Sequence, residues 1–274
     1  MVKAMESNQV LTSANYYSRE MDKKYMSVSQ FKNFVECEAK TVAKLNGDYY
    51  EPPNKPMIVG NYVHTAFEDE EVFNKFVEEN SDVINKKRGG GKYADFIQAD
   101  KMIETLKNDD FAMFAMSGEK EQIMVADLFG CEWKMKVDSI NHEQKIFSDL
   151  KTTRNIFERY WSTKYDGWVS FIERWDYVLQ MAIYRKIIEQ NTEDLYTPYI
   201  VAVSKEELPN KAIVHFDSSR FDFEYEVVES KMERILKVKN NELDPVRCEK
   251  CEYCKSTKDL KLTGTIEVGD LIYV

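Results

Sequence analysis

The chain has 274 residues, 43% of them hydrophobic and 13% aromatic, with six prolines and no long Pro/Gly/Ser stretch; this excludes a disordered chain and allows one large core or two smaller ones. The formal charge of −10 argues against a module that holds nucleic acid by bulk attraction, while a locally basic groove on an acidic body stays compatible with it. No run approaches the ~18 apolar residues of a membrane span and the first twenty residues lack a signal-peptide core, so the expectation is a cytoplasmic chain with no membrane partner, whose five cysteines need an account other than disulfides.

Residues 1–26 are polar and are expected to fray or lie across the surface. SVSQFKNFVECEAKTVAKLNG predicts one helix, capped by Ser27 or Ser29, with Phe31, Phe34, Val35 and Ala39 on its apolar side and Gly47 at its end. EPPNKP predicts a turn. MIVGNYVHTAFEDEEVFNKFVEEN predicts a second helix, with Tyr62, Val63, Ala66 and Phe67 near one stripe and His64 beside them. NKKRGGGKY is a flexible basic loop, either a phosphate contact or a solvated turn, and DFIQADKMIETLKNDDFAMFAM is helical again. Beyond Gly118, KEQIMVADLFGCEWKMKVDSI predicts strand, turn and strand, and KIFSDLKTT a third strand. SFIERWDYVLQMAIYRKIIEQ predicts a long amphipathic helix, YTPYIVAVSK and KAIVHFDSS two strands, and FEYEVVESKMERILKVKNN a segment that starts extended and ends helical. LKLTGTIEVGDLIYV closes the chain as a strand or extended arm. Helices flanking a central group of strands predict one α/β (α+β) domain over 1–274, with an N-terminal helical part (27–115), a core (118–225) and a C-terminal cysteine-bearing tail (245–274).

The hairpin VDSINHEQKIFSDLKTT carries the most chemistry. If Asn141 faces Ile146, then Asp138 faces Asp149 with Cβ atoms roughly 5 Å apart, and Lys151 shares the face of Asp149. Ile146 and Leu150 point the other way, towards a core. Opposed carboxylates repel, so loss of Asp138 is expected to relieve the metal-free chain. Close oxygen ligands suit Mg²⁺ or Mn²⁺, and a neighbouring lysine can hold a water or stabilise charge on phosphorus; the chemistry suggested is metal-assisted phosphodiester hydrolysis. A solvated hairpin bearing Asp and Lys is the plain alternative. Glu121, with Glu119 in reserve, sits at the start of the preceding strand within reach of this face. His64, with Glu68 a turn later, is otherwise a packing or surface residue. Gln180 and Tyr184 are i,i+4 on one helix, a polar pair or an ordinary helix boundary.

In chain order, HTAFE, KVDSI, SDLKTT and QMAIY resemble the PD-(D/E)XK nuclease superfamily, most closely the phage-type exonuclease branch with RecE and lambda exonuclease. NYYSREMDKKYMSVSQFKNFVECE resembles the start of prophage exonucleases of that branch, and the resemblance runs from about residue 15 to about residue 255. It implies a restriction-endonuclease-like core, a mixed central sheet flanked by helices. It implies Glu121, Asp138, Asp149 and Lys151 as catalytic residues, with Asp149 standing where Glu is commoner. His64, Glu121, Asp138, Asp149 and the Leu150 carbonyl are the implied ligands of Mg²⁺ or Mn²⁺. Gln180 and Tyr184 match the QxxxY element along the DNA path. The implied activity is a metal-dependent exonuclease on double-stranded DNA ends, 5'-to-3', in phage or prophage recombination. Its implied partners are further copies of itself, as a homo-oligomer around the DNA, and a single-strand annealing protein. A structure-specific or single-strand endonuclease and a non-catalytic DNA-end-binding protein are the alternatives.

Cys248, Cys251 and Cys254 form C-x2-C-x2-C, a metal-ligand spacing that needs a fourth ligand; Cys37 is the first candidate and Cys131 the next. Helicase-linked and CRISPR-associated nucleases of the superfamily join one early cysteine to three late ones on an iron–sulfur cluster. This pattern resembles theirs, with a different late spacing, and implies a 4Fe-4S cluster; Zn²⁺ or unligated surface thiols are the alternatives.

Overall fold

The structure is a computed structural model and describes residues 10–265 and 267–269. Its N-terminal half is helical: α1 (Arg19–Lys24), α2 (Val28–Glu36), α3 (Glu38–Asn46), α4 (Lys55–Thr65), α5 (Glu70–Glu79), α6 (Ser81–Ile84), α7 (Ala94–Lys107) and α8 (Asp110–Ala115). Strands β1 (Glu119–Leu128), β2 (Cys131–Asn141) and β3 (Ile146–Thr153) follow, then a small hairpin, β4 (Tyr160–Ser162) and β5 (Gly167–Val169). The chain continues through α9 (Phe171–Arg174), α10 (Tyr177–Thr192), β6 (Thr197–Ser204), β7 (Lys211–His215), α11 (Ser219–Lys239), α12 (Glu252–Ser256) and α13 (Leu260–Thr263). Among the described residues no helix is long and apolar enough to cross a membrane.

The central sheet is mixed, in the order β1-β2-β3-β6-β7. Neighbours are antiparallel except β3 and β6, which run parallel and are joined through α10, since a parallel pair needs a long crossover. Both faces are covered. Phe147, Ile200 and Ala202 face a core shared with α2, α10 and α11, while Leu150, Val201 and Val203 face a second core shared with α4, α7 and α8. This is the helix-flanked mixed sheet of a restriction-endonuclease-like core.

Four predicted helices are each split. Cys37 has an extended φ of −163° and its thiol caps α3 through Lys40 N, so α2 and α3 are separate. Asp69 caps α5 through the amides of Glu71 and Val72, and Asp109 caps α8 in the same way. A side chain that offers an acceptor to the first helical amides starts a new helix even where the apolar pattern continues. The long helix after β5 breaks at Asp176, whose φ is 54°. Val35, expected on an apolar side, is exposed.

Two larger expectations fail. The described part of the N-terminal segment is docked: Tyr16, Met21, Tyr25 and Met26 are buried, and Met26 bonds to both sides of Trp133 through Glu132 O and Lys134 N. The segment after β7 is helical from Ser219, because Phe221, Val228, Met232 and Ile235 form one buried stripe. In the closing stretch, residues 260–263 form the short helix α13, and 266 and 270–274 lie outside the described residues.

Candidate active site

The site begins at an irregularity in the sheet. Trp133, Met135 and Val137 face the α10 core, and so does Ile140, so the alternation of β2 skips a position between Val137 and Ile140. The β1–β2 ladder pairs Lys120 with Ser139 and Gln122 with Val137 but is broken between them. There Glu121 adopts a left-handed φ of 53°, which costs an L-residue roughly 1–2 kcal/mol. The β2–β3 pairing runs from Asn141↔Ile146 to Ser139↔Ser148 and stops where Asp138 would meet Asp149. Instead, Asp138 Oδ2 accepts a hydrogen bond from Leu150 N at 2.7 Å.

His64 reaches this break from α4, held there by Val59, Tyr62 and Val63 in the second core. Its Nε2 lies 2.5 Å from Asp138 Oδ2 and its Nδ1 4.0 Å from Glu121 Oε1. His64, Glu121 and Asp138 each offer a ligand atom within 4.8 Å of the others. Asp149 is buried on β3; its Oδ1 accepts from Gln180 Nε2 at 2.5 Å, and its Oδ2 pairs with Lys151 without a well-directed hydrogen bond. Glu121 pairs with Lys136 of β2. Each carboxylate thus has a close cationic partner: Asp138 has His64, Glu121 has Lys136 with His64 farther off, and Asp149 has Lys151.

These pairs set the charge states. Burial works against ionised Asp138, but His64, Lys151 and the Leu150 amide together hold its carboxyl below the ordinary range. Burial and the Asp138 charge push Asp149 upward. Burial opposes the His64 cation, and the Asp138 carboxylate outweighs it, moving the imidazole up to about 9. Lys151 is raised despite its burial, by Asp149 and Asp138.

An imidazole with carboxylate oxygens is a donor set for a divalent ion such as Mg²⁺ or Mn²⁺, and Asp149, whose Oδ2 is held against Lys151, adds a further buried carboxylate beside it. The residues therefore fit the metal that the hairpin suggests. They line a cleft of about 850 Å³, with Leu150, Lys151, Gln180 and Tyr184 on its walls. Tyr184 is deeply enclosed there, and burial lifts its phenol well above the usual range.

All the expected carboxylate-site residues meet in this cleft. Glu119 is the strand's first residue and pairs with Ile140, away from the triad. None of residues 86–92, the basic loop, lines the cleft. Several residues that sequence reasoning passed over do, among them Lys136, Tyr17 and Tyr177. Lys136 was legible, standing two residues before Asp138 on one strand. Tyr177 sits 4.8 Å from Lys151 Nζ, and Tyr17 5.3 Å from Lys136 Nζ, through tertiary contacts with no local signature.

The second constellation lies at the α2–α3 junction. Cys37, Cys248, Cys251 and Cys254 bring their sulfurs within 4.8 Å of one another, and Cys131 lies elsewhere, against the α10 core.

A family model described as "PDDEXK-like domain of unknown function (DUF3799)" matches residues 27–257. Among solved structures, a protein from Eubacterium rectale described as a "Putative exonuclease" is 35% identical, with a TM-score of 0.89 over 96% of this chain and 98% of that one. The structure of SSO0001 matches at 13% identity over 79% of this chain and 91% of that one; its TM-score of 0.31 carries no weight. None of the curated proteins matches.

Proposed function

This chain belongs to the PDDEXK-like DUF3799 family, and from that premise we propose that it is a metal-dependent exonuclease that hydrolyses DNA from duplex ends in the 5'-to-3' direction. The observation that carries the proposal is the convergence of His64, Glu121 and Asp138 beside the Asp149–Lys151 pair in one cleft. The likeness to the Eubacterium rectale protein supports the exonuclease class. The polarity, a homo-oligomer around the DNA, an annealing partner for the 3' strand and a role in phage or prophage recombination rest on the resemblance of the motifs to the RecE and lambda type.

In this reading His64, Glu121 and Asp138 hold Mg²⁺ or Mn²⁺, with Asp149 and the Leu150 carbonyl completing the set. The bound ion supplies Lewis acidity towards the phosphoryl oxygen and lowers the pKa of water. The chain's own residues do the positioning. Gln180 fixes one Asp149 oxygen, so the other stays directed at the site. Lys151 is held cationic by two carboxylates, so it can orient a water through its N–H donors and meet charge developing on phosphorus. Asp138 is anchored by the Leu150 amide, which keeps its carboxylate in place. Tyr184 closes the wall behind Gln180, on the proposed path of the DNA.

Lys151→Ala tests this directly. The variant should stay folded, and its hydrolysis of linear duplex in Mg²⁺ or Mn²⁺ should fall by more than about 100-fold. Undiminished cleavage would remove Lys151 from the chemistry.

A further inference from the structure

The resemblance to cluster-bearing nucleases implies a four-iron cluster on the cysteines, and the positions of the sulfurs disagree with it. Cys37 Sγ lies 3.5 Å from Cys254 Sγ and 3.8 Å from Cys251 Sγ, and Cys248 Sγ lies 3.9 Å from Cys254 Sγ. All four sulfurs fall within 4.8 Å of one another, and none is in a disulfide. Thiolates arranged tetrahedrally around one ion, with Zn–S bonds of about 2.3 Å, stand about 3.8 Å apart. A four-iron cluster puts irons and bridging sulfides between the thiolates, each thiolate on a different iron, and so spreads them well beyond the separations seen here.

The backbone around the sulfurs also fits bound thiolates. Cys37 Sγ accepts from Lys40 N at 3.4 Å, and Cys251 Sγ from Cys254 N at 3.4 Å. Cys248 Sγ accepts from Cys251 N at 3.3 Å and from Lys250 N at 3.5 Å. The left-handed φ of 57° at Glu249, between Cys248 and Lys250, bends the chain so that both amides turn onto that sulfur. Amides that spread the charge of a ligating sulfur are a usual outer layer of a metal site. Thiols packed only as small apolar groups would not need this many donors.

We propose that Cys37, Cys248, Cys251 and Cys254 bind a single tetrahedral zinc ion, which is structural and separate from the carboxylate cleft. The ion would fasten the segment after α11 to the α2–α3 junction. A second set of bonds already aligns the two: Arg234 makes a two-pronged pair with Glu38 at 2.8 Å on each side, and Glu38 also accepts from Val246 N at 2.7 Å. The assignment holds whether or not the chain cleaves DNA.

The test is metal analysis of the full chain, made in cells supplied with both iron and zinc, purified anaerobically and passed through EDTA to strip weakly held ions from the carboxylates. About one zinc per chain, no acid-labile sulfide and no visible absorption are expected. Iron with labile sulfide and a broad visible band would overturn the proposal, and so would a chain without bound metal. Cys251→Ser and Cys254→Ser should each lose the retained zinc and lower Tm. Because these variants can fail to fold, the wild-type protein reconstituted with Co²⁺ gives a second readout. Sulfur-to-cobalt charge-transfer and intense d–d bands of a tetrahedral tetrathiolate site are expected, and their absence would overturn the assignment.

Discussion

Asp138 Oδ2 takes hydrogen bonds from two directions, His64 Nε2 on α4 and Leu150 N on β3. Opposed carboxylates, read from the sequence, suggested that removing Asp138 would relieve the metal-free chain. In the structure Lys151 and His64 offset the two acids and the Leu150 amide depends on Asp138, so the opposite sign is expected. Asp138→Ala in EDTA should therefore lose about 1–3 kcal/mol, the cost of leaving a buried donor unpaired. Urea denaturation measures this, and an unchanged or raised midpoint would mean that repulsion dominates after all. His64 gives a pH dependence of definite sign. Its folded pKa, about 9, stands above the ordinary imidazole value of 6.5. Between these two pH values the folded metal-free protein keeps a proton that the unfolded chain has released. The stabilisation is complete below 6.5 and is lost as pH rises to 9. A metal ion must displace the same proton, so Mn²⁺ affinity should climb through this window by about tenfold per pH unit. Calorimetric titration of wild type and His64→Gln would check it: the variant should bind more weakly and without that slope.

The turn from α8 into β1 depends on Gly118, which has a φ of 104° and stands where a Cβ would press into the Ile140 carbonyl. Gly90, in the basic loop, also has a positive φ, of 70°, but has nothing near it. Gly118→Ala should cost at least about 2 kcal/mol, combining backbone strain with a clash against backbone, and Gly90→Ala only about 1 kcal/mol. Equal losses in chemical denaturation would show that the crowding at Gly118 is relieved by movement of β2. The same element scale shows what was legible. The strands of the central sheet could be read because β-branched and aromatic residues alternate or run together within short bounded stretches. The hairpin register, Asn141 opposite Ile146, was also legible. Helix starts at Cys37, Asp69 and Asp109 were lost inside longer apolar patterns, although Asp is a common cap. α11 was misread at its start because Phe221, Phe223, Tyr225 and Val227 alternate like a strand, while the stripe that packs it continues for several turns. The hairpin of β4 and β5 went unseen because each strand has only three residues.

At the scale of the whole molecule, the cleft draws on α4, β1, β2, β3 and α10, elements far apart in the chain. Motif order could nominate His64, Asp138, Asp149, Lys151 and Gln180, because each stands in a recognisable local setting. It could not give the broken ladder at Glu121, the Lys136 pair or the docking of Tyr17 over the cleft, which arise only when the helical half closes on the sheet. The acidic net charge of −10 is no obstacle to a DNA substrate, since the carboxylates concentrated in the cleft are neutralised pairwise and are the groups that a divalent ion needs. The central claim is that this cleft degrades DNA from its ends. The most direct measurement follows linear duplex labelled at the 5' or the 3' terminus, and a closed circle of the same sequence, with folded wild-type protein in Mg²⁺ or Mn²⁺. The account predicts metal-dependent loss of the linear duplex, early release of the 5' label and an untouched circle. Absence of turnover with either metal, or cutting of the circle as fast as the linear duplex, would contradict it.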